Sequence, residues 1–311
     1  MDILTTLKEA FYNYLFIEDN HSYFHPKQNN KLTSVTTFLS KLKKPFNTEF
    51  WSVLKGFEVS GYTVTSKNEK KNYFSIDKKI KIIPGETDYS PFNLSKTPKD
   101  IKSDWDFTKH LGLSRGSYLH KLLEDIELGN EETNHQDFID DVIQKGIEKK
   151  NNNFDDMYDI YSSIEWSYSV LRSLAYRFIE ENKNYLDPIA IEFMIGDLDL
   201  NIAGTFDRLY FNKKSNQYEI WDFKTDKKLD FQNKYQKLDL FDLDDCEFEK
   251  YSLQTSLYKY IIEKNTPIKL GTSHIVHFKF RDNSYDIIPC NDYTELIKEK
   301  LDNGNNWSTH K

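Results

Sequence analysis

Residues 188–226 read PIAIEFMIGDLDLNIAGTFDRLYFNKKSNQYEIWDFKTD. Three extended runs, 188–196, 200–211 and 218–226, are separated by the turn residues Gly196-Asp197 and Lys213-Lys214-Ser215-Asn216, so the stretch reads as three antiparallel strands. Faces alternate along a strand. Asp222 and Lys224 therefore share one side of the third strand, while Trp221 and Phe223 pack on the other. A loop symmetric about Lys214 and Ser215 sets Asp207 directly opposite Asp222. Two like charges so placed cost up to ~1 kcal/mol. A bound cation reverses that sign, because carboxylate oxygens are the ligands magnesium prefers, and a slip of one residue would break the pairing. Glu192 shares a face with Ala190 and Met194. A turn centred near Asp197 puts it opposite Ala203, two same-face steps from Asp207, so a bulge or twist is required to bring the two carboxylates together.

Taken alone, Asp-x-Lys is a weak signal and an aspartate pair beside a lysine is as readily a surface ion pair. The ordered set is sharper: Glu in the first strand, Gly-x-x-Asp in the second, Asp-x-Lys in the third.

Outward from this core, residues 3–17 have the apolar spacing of a helix (Leu4, Leu7, Phe11, Leu15), and His21 to Thr37 reads as a hairpin turning at His25–Asn30. Residues 56–100 are Lys-rich and carry no clear period, and are taken as an insertion or flap. A helix over 113–128 has the stripe Leu119, Leu122, Leu123, Ile126 and is closed by Gly129-Asn130. A longer helix runs over about 159–184. After an acidic stretch at 238–250 come a helix near 252–264, a hairpin about Arg281–Asn283 and a last helix over 292–302. Helices before and after an antiparallel sheet predict an α+β chain. We expect one domain, with an N-terminal helix and hairpin (1–55), the insertion (56–100) and a core (106–302).

Composition narrows the function. The chain has 311 residues, 38% hydrophobic and 15% aromatic, enough for a sizeable core. No apolar run approaches the ~18 residues of a membrane span, and the first residues lack the pattern of a signal peptide, so the expected compartment is the cytoplasm. Two distant cysteines, Cys246 and Cys290, exclude a four-cysteine zinc or iron–sulfur site from this chain alone. A net charge of −8 argues against a protein that coats duplex nucleic acid by charge, but not against an enzyme with a local site.

GTFD (204–207) and IWDFKTD (220–226) resemble the core of the PD-(D/E)XK nuclease superfamily. RGSYLHKLLE (115–124), with Gly116 and His120, and LQTSLYKY (253–260), with Gln254 and Tyr258, are similar to motifs of its RecB-like exonuclease branch, and KLTSVTTFLSKLKKPF resembles the N-terminal region of phage and bacterial members. The four motifs stand in the branch's order over about two thirds of the chain. The resemblance implies a restriction-endonuclease-like core, with a mixed, mostly antiparallel sheet flanked by helices, and a DNA phosphodiesterase using Mg²⁺ or Mn²⁺. It implies that Asp207, Asp222, Glu192 and His120 bind the metal, that Lys224 positions the attacking water, and that Gln254 and Tyr258 face nucleic acid or Lys224. Arg115 could meet a phosphate. Taken without the family, His120 on the border of an apolar stripe, and Gln254 and Tyr258 on one helix face, are ordinary structural residues. The Lys-rich segment could grip a strand by charge and stacking. There is no GxxxxGK[ST], so any unwinding falls to a recombination or replication partner. An endonuclease, a silent binding module and a hydrolase of small phosphoesters are the alternatives.

Overall fold

The computed structural model describes residues 2–17, 22–27, 31–77, 79–149, 154–225, 228–233 and 236–302, without the side chains of 146–149 and 154–160. His21, Gln28–Asn30 of the expected hairpin turn, Lys78 and Asp226 lie outside the described residues.

The chain opens with helix α1 (Ile3–Phe11), strands β1 (Leu15–Ile17), β2 (Ser22–Phe24) and β3 (Thr33–Ser34), and helix α2 (Val35–Lys41). This adjusts two expectations. The first helix stops at Phe11, and the expected hairpin is reduced to one antiparallel bridge, Tyr23–Leu32, while β2 forms its ladder with β1. That segment is helical because the Ser34 hydroxyl caps it, accepting from the Thr37 amide at 3.0 Å. Its apolar residues Val35, Phe38, Leu39 and Leu42 repeat at helical spacing and are buried.

Helix α3 (Thr48–Val59) and strands β4 (Val64–Asn68), β5 (Tyr73–Ile76) and β6 (Ile80–Ile82) follow, the strands forming their own three-stranded antiparallel sheet. Helix α4 (Pro98–Leu128) starts 15 residues before the expected helix at 113. A capping box explains the start: Thr97 Oγ1 accepts from the Asp100 amide at 3.2 Å, Asp100 Oδ2 accepts from the Thr97 amide at 2.8 Å, and Pro98 takes the first helical position. Helices α5 (His135–Lys149) and α6 (Phe154–Asn182) lead to the three long strands β7 (Leu186–Asp197), β8 (Ile202–Asn212) and β9 (Gln217–Lys224). Helix α7 (Glu247–Asn265), strands β10 (His274–Lys279) and β11 (Ser284–Pro289), and helix α8 (Thr294–Asp302) complete the order.

The chain divides into two compact units: Met1–Lys44 with Arg115–His135 and Ile164–Lys311, and Pro45–Ser114 with Gln136–Ser163. The first holds a six-stranded sheet in the order β11-β10-β9-β8-β3, with β7 on β8. The β7–β8, β8–β9 and β10–β11 pairs are antiparallel and β9–β10 and β3–β8 parallel. This is an α+β fold consistent with a restriction-endonuclease-like core. Leu253, Leu257 and Ile261 of α7 belong to the core that also takes in Val35 and Phe38 of α2 and Leu209 and Ile220 of the sheet. Phe178 of α6 packs on Trp221, Phe223 and Phe278, with centroids 6.2, 5.5 and 5.9 Å apart.

The β8–β9 ladder runs from Asn212–Gln217 to Arg208–Trp221, the register predicted from a symmetric loop. There β9 parts from β8, and β3 takes up pairing at Ile202 and Ala203. Residues 204–207 therefore sit at a fork between two strands, where backbone and side chains are open to other partners. Among the described residues, no helix is long and apolar enough to cross a membrane.

Candidate metal centre

Asp207 lies at the fork. Its side chain replaces the missing ladder bond, Oδ2 accepting from the Phe223 amide at 2.6 Å, while Oδ1 stays available. Glu192 does not face Ala203. The β7–β8 turn occupies 198–201 rather than centring on Asp197, which shifts the register by four residues. Ile191 pairs with Arg208 and Phe193 with Phe206, so Glu192 falls opposite Asp207 with no bulge between them; the irregularity lies between Pro188 and Ala190. The Glu192 backbone is in the left-handed region (φ 44°), costly for a residue with a Cβ in a strand, and such strain gathers at functional sites.

His120 reaches the same place from α4. Its Nδ1 is 3.4 Å from Glu192 Oε1 and 3.6 Å from Asp207 Oδ1, and its Nε2 donates to the Phe223 carbonyl at 3.0 Å. That carbonyl fixes the tautomer: when neutral, the ring keeps its proton on Nε2 and turns a lone pair on Nδ1 toward the carboxylates. One donor atom from each of His120, Glu192 and Asp207 lies within 4.8 Å of the others. A nitrogen and two carboxylate oxygens converging on one point fit a small divalent cation. Burial lowers the His120 pKa, but Asp207 and Glu192 outweigh it and raise it to about 9, so the imidazolium itself supplies the positive charge between the two acids.

Asp222 stands outside this trio. It is buried, with Oδ2 2.5 Å from Lys224 Nζ and Oδ1 accepting from Gln254 Nε2 at 3.4 Å. Burial raises its pKa to about 6, Asp207 adding to the effect against the pull of Lys224. The Lys224 ammonium also lies over the Tyr251 ring, 4.8 Å from its centroid. Gln254 and Tyr258, 8% and 2% exposed, turn inward, and Gln254 Nε2 donates to the Tyr258 hydroxyl at 3.3 Å. The Tyr258 ring fills the fork: a Cβ on Gly204 would meet it at 2.8 Å, the physical reason that glycine opens the Gly-x-x-Asp stretch. Arg115 donates to Ser167 Oγ at 2.8 Å and lies over the Phe280 ring at 4.5 Å; burial lowers its pKa to about 10.

Two residues of the site were missed from the sequence. Arg208 is fully buried, its Nε 2.5 Å from Glu127 Oε2 and its Nη1 3.1 Å from Glu192 Oε1 and 2.7 Å from the Asp207 carbonyl. Its guanidinium lies over Phe223, 5.4 Å from the centroid. Glu127 also accepts from the Tyr210 hydroxyl. Glu127 is seven residues from His120, two turns along one face of α4. One helix thus delivers the histidine and the anchor of the arginine that holds Glu192. The available signal was a charged residue on the strand face occupied by Tyr210, Trp221 and Phe223, which demands a buried carboxylate partner.

A mixed sheet whose forked strands gather two acids and a histidine, with an aspartate–lysine pair on the neighbouring strand, is the arrangement of a metal-dependent nuclease. The family model of the PD-(D/E)XK nuclease superfamily matches residues 99–300, and the chain belongs to that superfamily. A comparison with curated proteins finds no match.

Proposed function

We propose that this chain is a RecB-like nuclease of phage type that hydrolyses DNA phosphodiester bonds with Mg²⁺ or Mn²⁺, acting from DNA ends. The observation that carries the reading is the convergence of His120, Glu192 and Asp207 on one point beside the Asp222–Lys224 pair. His120 Nδ1, Glu192 and Asp207 would hold the cation, and the Asp222 carboxylate, which also pairs with Lys224, would complete or orient the set. The bound cation would polarise a phosphoryl oxygen and lower the pKa of water.

The chain's own groups do the rest. Lys224, steered by Asp222 and Tyr251, is a fixed cation that orients the attacking water and offsets charge developing on the phosphate. Gln254 and Tyr258 hold Asp222 and the fork in place from α7. Arg208 fixes the Glu192 carboxylate.

The test is cleavage of end-labelled linear and closed circular DNA, single- and double-stranded, with Mg²⁺, Mn²⁺ or EDTA, beside Lys224→Ala. Metal-dependent loss of linear DNA alone, absent in the variant, is the expected result. Cutting of circles replaces the exonuclease by an endonuclease. Binding without cleavage under either metal overturns catalysis and leaves a binding module, and turnover of a small chromogenic phosphodiester but not of DNA points to a phosphoesterase.

A further inference from the structure

The second unit carries a surface that the metal centre does not use. Residues 64–83 contain six lysines against two acidic residues, Glu69 and Asp77, in a chain whose net charge is −8. Among the described residues, Lys70, Lys71, Lys79 and Lys81 are exposed and none of them is ion-paired; Lys67, opposite Phe74 in the ladder, instead lies over the Trp51 ring at 5.0 Å. In the same unit Lys55, Lys96 and Lys102 each hold a carboxylate, whereas Lys99 and Lys109 of α4, like the sheet lysines, hold none. Charge that the fold leaves uncompensated is compensated by ions or by a ligand.

The sheet beneath these lysines has two unlike faces. Phe74, Ile76 and Ile82 are buried with Phe50, Val53 and Phe57 of α3, so the platform has its own core. In the ladder, Ser66 pairs with Ser75 and Ser75 with Lys81, while Asn68 pairs with Tyr73; these residues make up the other, polar face. On it the Lys81 ammonium lies over the Tyr73 ring, 4.6 Å from the centroid. Lys70 and Lys71 fall in the turn leading into Tyr73, and Lys79 directly precedes β6.

We infer that this face of β4–β6 binds single-stranded DNA, its lysines taking the phosphates and Tyr73 stacking a base; the inference rests on reading the chain as a DNA nuclease. Three strands spaced at ~4.8 Å with three to five residues each make a strip of about 10 Å by 10–16 Å, the span of a few nucleotides. Phosphate charge is the complement of the unpaired lysines, and an aromatic ring is open to stacking only by bases already out of a duplex. An acidic protein or an anionic bilayer would satisfy the lysines but makes no use of the ring.

The experiment measures fluorescence anisotropy of a fluorescein-labelled oligothymidine with the full chain in EDTA, where no metal-dependent hydrolysis runs. Lys70, Lys71, Lys79 and Lys81 are changed together to Gln. A control variant changes four equally exposed lysines, Lys8, Lys183, Lys269 and Lys298, and so has the same net charge. The sheet variant should lose at least ~10-fold in affinity, and its salt slope should shrink by about 3, near 0.7 per phosphate contact. The control should bind like the wild type. Tyr73→Leu should weaken binding about 10-fold, and Tyr73→Phe should restore it. Equal losses in sheet and control variants, unchanged binding in Tyr73→Leu, tighter binding to duplex of equal length, or lysine-dependent binding to phosphatidylserine vesicles without binding to the oligonucleotide would each overturn the inference. Cleavage assays keep the two readings apart. Lysine-dependent binding by a chain that cuts nothing in Mg²⁺ or Mn²⁺ retains this surface and removes the nuclease. DNA cleavage with a sheet variant that binds normally removes this surface alone.

Discussion

A guanidinium buried in a protein core is stable only if carboxylates meet it, and Arg208 has two, Glu127 on one side and Glu192 on the other. One of these is a candidate metal ligand, so Arg208 sets the rotamer of Glu192 and shares its charge. Glu127→Gln keeps the shape of the anchor and removes its charge. It should shift the Arg208 guanidinium toward Glu192 and weaken Mn²⁺ binding several-fold by calorimetry, with melting temperature lowered by only a few degrees. Unaltered Mn²⁺ affinity would show that the network serves packing alone. His120 gives a pH prediction. Its pKa is raised in the fold from 6.5 to about 9, so its contribution to stability is fully present below pH 6.5 and is lost as pH rises through 9. Asp222, raised from 3.8 to about 6, acts in the same direction in a lower window: its unfavourable ionisation appears as pH rises from 4 to 6. The metal-free protein should therefore lose melting temperature between pH 6.5 and 9, and His120→Gln should flatten that slope. Metal uptake at pH 7.5 should also release a proton from His120, read as a buffer-dependent binding enthalpy that His120→Gln abolishes.

At the scale of elements, the strand patterns were legible because period and turn chemistry are local. The Lys213–Asn216 loop fixes the β8–β9 register, and the ladder follows it from Asn212 to Arg208. The β7–β8 register was not legible, because GDLDLN offers more than one turn centre, and only the turn at 198–201 places Glu192 beside Asp207. Helix α4 was found only from 113 onward because its first half, residues 98–112, lacks the apolar stripe that marked the second; its start lies in the Thr97–Asp100 capping box. Thr97→Ala should cost about 1 kcal/mol, measured by urea unfolding. Gly204 is a sharper case, since a methyl group there collides with the Tyr258 ring at 2.8 Å. Gly204→Ala should destabilise by about 1–3 kcal/mol and displace the fork that presents Asp207. The double variant Gly204→Ala/Tyr258→Leu should recover part of the stability, and failure to recover would place the strain elsewhere.

For the whole molecule, the metal centre predicts linkage. A cation that binds the folded chain alone stabilises it by about 3 kcal/mol at a hundredfold excess over its dissociation constant. Melting temperature should therefore rise with Mn²⁺ or Mg²⁺ and fall back with EDTA, and Asp207→Asn should remove the rise while leaving the metal-free chain folded. By itself the sequence determined the α+β class, the three central strands and the residue types of the site, since alternation, turn composition and the order of Glu, Asp, Asp, Lys are carried within short windows. Only the tertiary structure decided which groups meet. His120 and Glu192 are 72 positions apart, and Arg208 lies 81 from Glu127. Such contacts depend on how a helix face docks on a sheet, and no local period encodes that. The inward turn of Gln254 and Tyr258, the fork at 204–207 and the unpaired lysines of β4–β6 belong to the same category, because burial and charge compensation are properties of neighbours in space and not of neighbours along the chain.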